Sequence, residues 1–152
     1  MKYFTITELT RSATAKRLGI NNTPTTSVRN NLEALGKNIL DPLREAWGAP
    51  IIVTSGYRCQ KLNKAVGGAS NSQHLYGQAA DIRTVSDKRE DNMKLLRKLI
   101  EMELPFDKLI AEYVDSSGRP DWIHVSYSSA RRGIKLTCKA GRYSNGIKID
   151  KK

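Results

Sequence analysis

The ten residues Ser72-Gln73-His74-Leu75-Tyr76-Gly77-Gln78-Ala79-Ala80-Asp81 restrict what this chain can fold into more than any other stretch. They contain one of only two histidines, a glycine three residues later, and a carboxylate that closes a run of small residues. The other histidine, His124, lies in Asp121-Trp122-Ile123-His124-Val125-Ser126. Ala79 to Arg83 reads as a short strand with Ala79, Asp81 and Arg83 on one face, and Trp122 to Tyr127 reads as another. Alternation in the second sends Ile123, Val125 and Tyr127 to the core and leaves Trp122, His124 and Ser126 facing a cleft. If the two strands are neighbours, Asp81 meets His124, and His74 reaches both from a loop that turns at Gly77. Two imidazoles and one carboxylate are the ligand set of a catalytic zinc that keeps a fourth position for water. The fold therefore has to bring three distant segments to one ion.

Around this constraint the pattern gives helices first and strands last. Tyr3 to Ile6 reads as an extended arm. Thr5 with Glu8 forms a capping box for a helix from about Thr7 to Leu18, which Gly19 ends. Thr23-Pro24 has the form of an N-cap followed by a first-position proline. Val28, Leu32, Leu35, Ile39, Leu40 and Leu43 keep a helical period as far as Trp47, and Pro42 is expected to kink or restart that helix. Pro50 to Ser55 is a β-branched strand, Leu62 to Val66 a helical turn closed by Gly67-Gly68, and Ala69 to Gln73 a polar surface loop. Asp87 to Met102 is a helix with Met93, Leu96, Leu99 and Ile100 as its apolar stripe. Leu109 to Val114 and Trp122 to Tyr127 form a hairpin about Ser116 to Pro120, and Ile134 to Cys138 adds an edge strand. The expectation is an α+β fold over residues 1–152 as a single domain, with a small antiparallel sheet and helices packed mainly from the N-terminal half. A basic, flexible tail is expected from about residue 140.

Charge limits the partners. The 26 Lys and Arg against 15 Asp and Glu leave a net charge of +11. Late in the chain, Arg131, Arg132, Lys135, Lys139, Arg142, Lys148, Lys151 and Lys152 are opposed only by Asp150. Such an excess suits an anionic cell wall or membrane surface. A platform for nucleic acid would interleave aromatic rings with the cations; only Tyr127 and Tyr143 stand there, so no nucleic acid is expected. No run approaches the roughly 18 apolar residues of a membrane span. The N-terminus reaches Glu8 before a signal-peptide core has formed, so synthesis in the cytoplasm is expected; the protein is expected to be a monomer. Cys59 and Cys138 are too few for a disulfide framework and are expected as buried, reduced thiols.

A hydrolytic site also needs a general base and a group to hold the substrate. Asp121 stands three residues before His124, and a bulge or the end of the Pro120 turn has to swing its carboxylate inward. Glu112, on the neighbouring strand, is the rival base. Arg58 follows a buried strand and a glycine, so its guanidinium is placed to clamp a peptide carboxylate or polarise a carbonyl. Ser72 is placed to hydrogen-bond the substrate or the ligand loop.

Ser55-Gly56-Tyr57-Arg58, Leu62-Asn63, Gly67-Gly68, Ser72-Gln73-His74 with Gly77, Ala80 and Asp81, and Trp122 to Ser126 together resemble the M15 family of zinc peptidases, over roughly Phe4 to Arg132. That family includes D-alanyl-D-alanine carboxypeptidases and dipeptidases and the L-alanyl-D-glutamate endopeptidases of phage endolysins. The resemblance implies one zinc ion on His74, Asp81 and His124, Asp121 at the catalytic acid position, and Arg58 as the substrate-anchoring arginine. Ser72, Gln73 and Trp122 would join Arg58 in binding substrate. Many members carry Glu at the catalytic position; Asp121 departs from them and is compatible with the endolysin-like branch. The implied reaction is hydrolysis of a peptidoglycan stem-peptide bond, with L-Ala-D-Glu endopeptidase cleavage placed ahead of D-Ala-D-Ala carboxypeptidase trimming. An enzyme of this kind would reach the wall after holin-type release or lysis. The competing class is a wall-binding module that keeps the fold without turnover, and retention of three ligands, an acid and Arg58 argues against it.

Overall fold

A computed structural model describes residues 1–149 of the chain. The extended N-terminal arm is pinned to a distant helix, since the backbone N–H groups of Lys2 and Tyr3 both donate to the Asp41 carboxylate, at 2.6 and 3.0 Å. The single helix expected over Thr7 to Leu18 is two helices, α1 (Ile6–Thr10) and α2 (Ala13–Leu18). Thr5 caps the first. Arg11 and Ser12 are extended between them, and Ser12 Oγ accepts from Ala15 N–H at 3.1 Å to begin the second. Serine competes with helical bonding more readily than it propagates a helix, and here it starts a new one.

Thr25, not Thr23, caps α3 (Thr26–Leu35) by accepting from Val28 N–H at 3.3 Å. Thr23 instead turns back onto Asn21. The helix restarts at Pro42, which stands in the first turn of a new segment. It widens into a π turn over Gly36–Leu40 and continues as α4 (Asp41–Trp47), so the wider turn lies just before the residue that lacks an N–H. Leu32, Leu35, Ile39, Leu40 and Leu43 are all fully buried, which keeps the apolar stripe continuous through the widening.

Strands β1 (Ile51–Ser55), β2 (Ala79–Thr84), β3 (Lys108–Glu112), β4 (Trp122–Ser126), β5 (Ile134–Lys139) and β6 (Arg142–Asn145) form one sheet in the order β1-β2-β4-β3-β5-β6. The sheet is mostly antiparallel, as expected, but β5 runs parallel to β3 because the chain leaving β4 crosses over before pairing again. The edge expected for β5 belongs to β6, so residues 142–145, expected within a tail, are a strand. Asp150, Lys151 and Lys152 of that tail lie outside the described residues.

Ile82, Ala111, Ile123 and Val125 face a single core with the α3–α4 stripe and with Leu95, Leu96 and Leu99 of α6 (Arg89–Glu101). The register turns Asp81, Ile110, Glu112, Trp122 and His124 to the other face. Among the described residues no helix is long and apolar enough to cross a membrane. Both cysteines are free thiols: Cys138 is buried, whereas Cys59 is only half-buried and caps α5 (Gln60–Ala65) through Sγ.

Candidate metal centre

Asp81 on β2 lies directly opposite His124 on β4. Opposed residues of an antiparallel pair project to the same side, so the two side chains converge, with His124 Nδ1 3.1 Å from Asp81 Oδ1. His74 arrives from the 3₁₀ turn Gln73–Tyr76, and its Nε2 lies 3.4 Å from the same oxygen. One ligand atom from each of the three residues falls within 4.8 Å of the others. Burial pushes the Asp81 carboxyl up, but His74 and His124 outweigh it and hold the group well below the usual carboxylate range.

The chain around His74 is built to fix that ring. Ser72 Oγ accepts from His74 N–H at 3.2 Å, so the serine supports the ligand turn, one of the two roles expected for it. Gly77 ends the turn at a φ of 71°, and a Cβ there would press on Val28. Arg58 N–H donates to His74 O at 3.0 Å, and His74 Nδ1 lies 2.7 Å from Gly56 O. A carbonyl can only accept, so Nδ1 carries the proton and Nε2 keeps its lone pair for a metal. The β1–β2 register shifts between Val53 and Ser55, which leaves Ser55 paired with Asp81 just before Gly56. Two imidazoles and an ionised carboxylate, one imidazole with its tautomer set by an outer hydrogen bond, are a donor set that fits zinc.

These residues line a cavity of about 470 Å³ with Arg58, Gln73, Glu112 and Trp122. Arg58 Nη1 donates to Ser55 Oγ at 3.5 Å, and its Nε is buried without a partner among the described residues. Gln73 lines the wall, but its Nε2 donates to Asp107 Oδ2 at 3.0 Å. Trp122 stacks on Tyr113 with ring centroids 5.3 Å apart.

The two candidate bases are placed differently. Glu112 is buried in the cavity, and its Oε1 has no partner among the described residues. Burial pushes its carboxyl above the usual range, against the pull of His124. Asp121 is half-exposed. The β3–β4 register runs without a break, so no bulge swings the Asp121 carboxylate into the cavity. It sits instead at the end of the Pro120 turn, 4.0 Å from Arg89 Nη2, in a neighbouring depression shared with Asp81 and Trp122.

Lys108 and Tyr143 also line the cavity, and Asp107 holds Gln73; none of the three is a site candidate in the sequence. Lys108 was within reach of the alternation that places Ile110 and Glu112 on the same face. Tyr143 depends on a strand that carries no apolar pattern, with every residue of β6 exposed.

The profile of the Peptidase M15 family matches residues 2–126 of the chain, a span that includes His74, Asp81, His124, Arg58, Glu112 and Asp121 but not Tyr143. A zinc D-Ala-D-Ala carboxypeptidase of Streptomyces albus G is 52% identical over 44 residues, which are 28% of this chain and 17% of that protein. The match therefore spans under a fifth of the length of that relative.

Proposed function

The chain belongs to the peptidase M15 family, and from that premise we propose that it is a zinc-dependent peptidase that hydrolyses a bond in the stem peptide of peptidoglycan. The observation that carries this reading is the convergence of His74, Asp81 and His124 on one point at the floor of an open cavity. When bound, zinc supplies Lewis acidity, acidifying water and polarising a carbonyl. Everything else falls to the chain's own residues. Arg58, a half-buried cation with no carboxylate partner among the described residues, anchors the substrate through a carboxylate or the scissile carbonyl. Trp122, stiffened by Tyr113, forms a wall for the peptide.

Asp121 is the proposed base: it takes the proton of the attacking water and returns it to the leaving amine. It is supported by its position three residues before His124 and by the depression that it shares with Asp81. Glu112 is a second reading, favoured by its burial in the cavity and its unpartnered oxygen.

For the bond cleaved we favour L-Ala-D-Glu endopeptidase action, on the likeness to the endolysin-like branch; D-Ala-D-Ala trimming, the activity in the name of the Streptomyces protein, is the alternative. The protein acts as a monomer at the anionic wall after holin-type release or lysis, supported by the substrate class and the +11 charge. The test is mass spectrometry of digested peptidoglycan, alongside metal content. New amino termini on D-glutamate support the endopeptidase, and released D-alanine supports the carboxypeptidase. An inert protein with stoichiometric zinc supports the wall-binding module instead.

A further inference from the structure

Arg58 belongs to two cavities. Besides the metal cavity it lines a second, open one of about 590 Å³, together with Arg11, Ser12, Lys16, Val53, Ser55 and Val66 among others. No acidic side chain lines this second cavity. None of its three cations has a carboxylate partner among the described residues, although the protein forms ion pairs elsewhere. The hydroxyls add to the same bias. Ser12 Oγ already accepts from Ala15 N–H, and Ser55 Oγ accepts from Arg58 Nη1, so each has an O–H left to donate. A pocket with three cations and two spare hydroxyl donors is complementary to an anion. Because Arg58 lines both cavities, a molecule with its reacting bond at the metal centre that extends past Arg58 brings an anionic group to these cations.

We propose that the Arg11–Lys16 cavity is an anionic subsite for the substrate, and that this chain selects peptides with a free carboxylate close to the scissile bond. The proposal rests on the peptidase reading and names a feature of its substrate. Arg11 and Lys16 are exposed and touch none of the metal ligands, so they act on selection rather than on the chemistry.

The experiment compares two soluble stem peptides that differ only in whether the free carboxyl of the glutamate is an acid or an amide. The wild-type protein is expected to favour the acid by about fivefold to tenfold in kcat/KM, the range for two partly exposed charge contacts, with the effect in KM. The preference shrinks in high salt. R11Q/K16Q is expected to lose the preference while binding zinc as the wild type does. Calorimetric affinities of the protein for the same two peptides, measured with and without added zinc, give a reading that does not need turnover. Equal treatment of acid and amide by the wild type, or a preference that survives in R11Q/K16Q, overturns the subsite and leaves the peptidase reading standing. Inorganic phosphate that weakens the preference in the wild type and has no effect in R11Q/K16Q supports the subsite, because a small anion competes for the same cations. Absence of zinc binding and of hydrolysis would refute the peptidase reading, and the calorimetric comparison would still decide the subsite.

Discussion

The carbonyl of Gly56 receives the Nδ1 proton of His74 at 2.7 Å, and that bond directs the other nitrogen of the ring toward Asp81. Gly56 is itself wedged in place. A Cβ there would overlap Leu9 O, which accepts from Tyr57 N–H at 2.8 Å. G56A must therefore move the carbonyl that orients the ligand. Zinc affinity is expected to fall about 10- to 100-fold, the usual effect of losing an outer-shell partner. Competitive chelator titration measures it, and affinity within twofold of wild type would detach Gly56 from the metal centre.

The two carboxylates that compete for the role of base separate by mutation. D121A is expected to lower kcat by about 10²- to 10⁴-fold with zinc still bound, the range for a general base. E112Q is expected to lower it by less than tenfold. The opposite ranking would transfer the role to Glu112, whose burial already suits a carboxyl held above its ordinary value.

How much of this arrangement was legible follows from the range of each interaction. The facing of the candidate metal residue His124 could be read because β alternation is a local rule: it put His124 and Trp122 on the face away from Ile123 and Val125, and the β4 pattern bears that out. The helical stripe from Val28 to Leu43 was legible for the same reason, with its period intact across the π turn. The parallel β3–β5 pair was not, because a crossover is decided by where the chain leaving β4 finds an open edge. Nor was the placement of Asp121, which depends on how a turn ends rather than on residue type. The break at Arg11-Ser12 does not show in the apolar spacing, because Ser12, a capping residue, falls inside a helical period.

Removing the metal should unsettle the fold locally. His74, Asp81 and His124 come from three segments, and an ion that binds only the folded arrangement stabilises it in proportion to its occupancy. At 100 times the dissociation constant the expected gain is about 2.7 kcal/mol. Chelation should lower the melting temperature by several degrees, and added zinc should restore it. H74A is expected to melt at the same temperature with and without zinc; a zinc-dependent shift in that variant would place the ion elsewhere.

Asp107 gives a prediction that depends on pH. The Arg132 side chain donates to it at 3.0 and 2.8 Å, the Arg132 backbone N–H at 3.0 Å, and Gln73 Nε2 at 3.0 Å. The Arg132 hydrogen bonds hold the carboxyl well below the usual range, and burial opposes them without prevailing. An unfolded aspartate titrates near pH 3.9, so over the interval below that value the unfolded chain binds more protons than the folded one. The stability that Asp107 contributes is thus fully present above about pH 5 and drains away as pH falls toward its folded value. D107N leaves the four donors facing a neutral amide and should destabilise by about 2 kcal/mol at pH 7, the lower part of the range for a buried charged acceptor because Arg132 is half in water. In urea titrations at pH 7, 5 and 3 the gap between wild type and D107N should narrow only at the last. Asp81 is depressed in the same direction but is common to both proteins, so it cancels in the difference. A gap that stays constant down to pH 3 would mean that Asp107 contributes by packing, and that the clasp on Gln73, next to the metal ligand, does not depend on its charge.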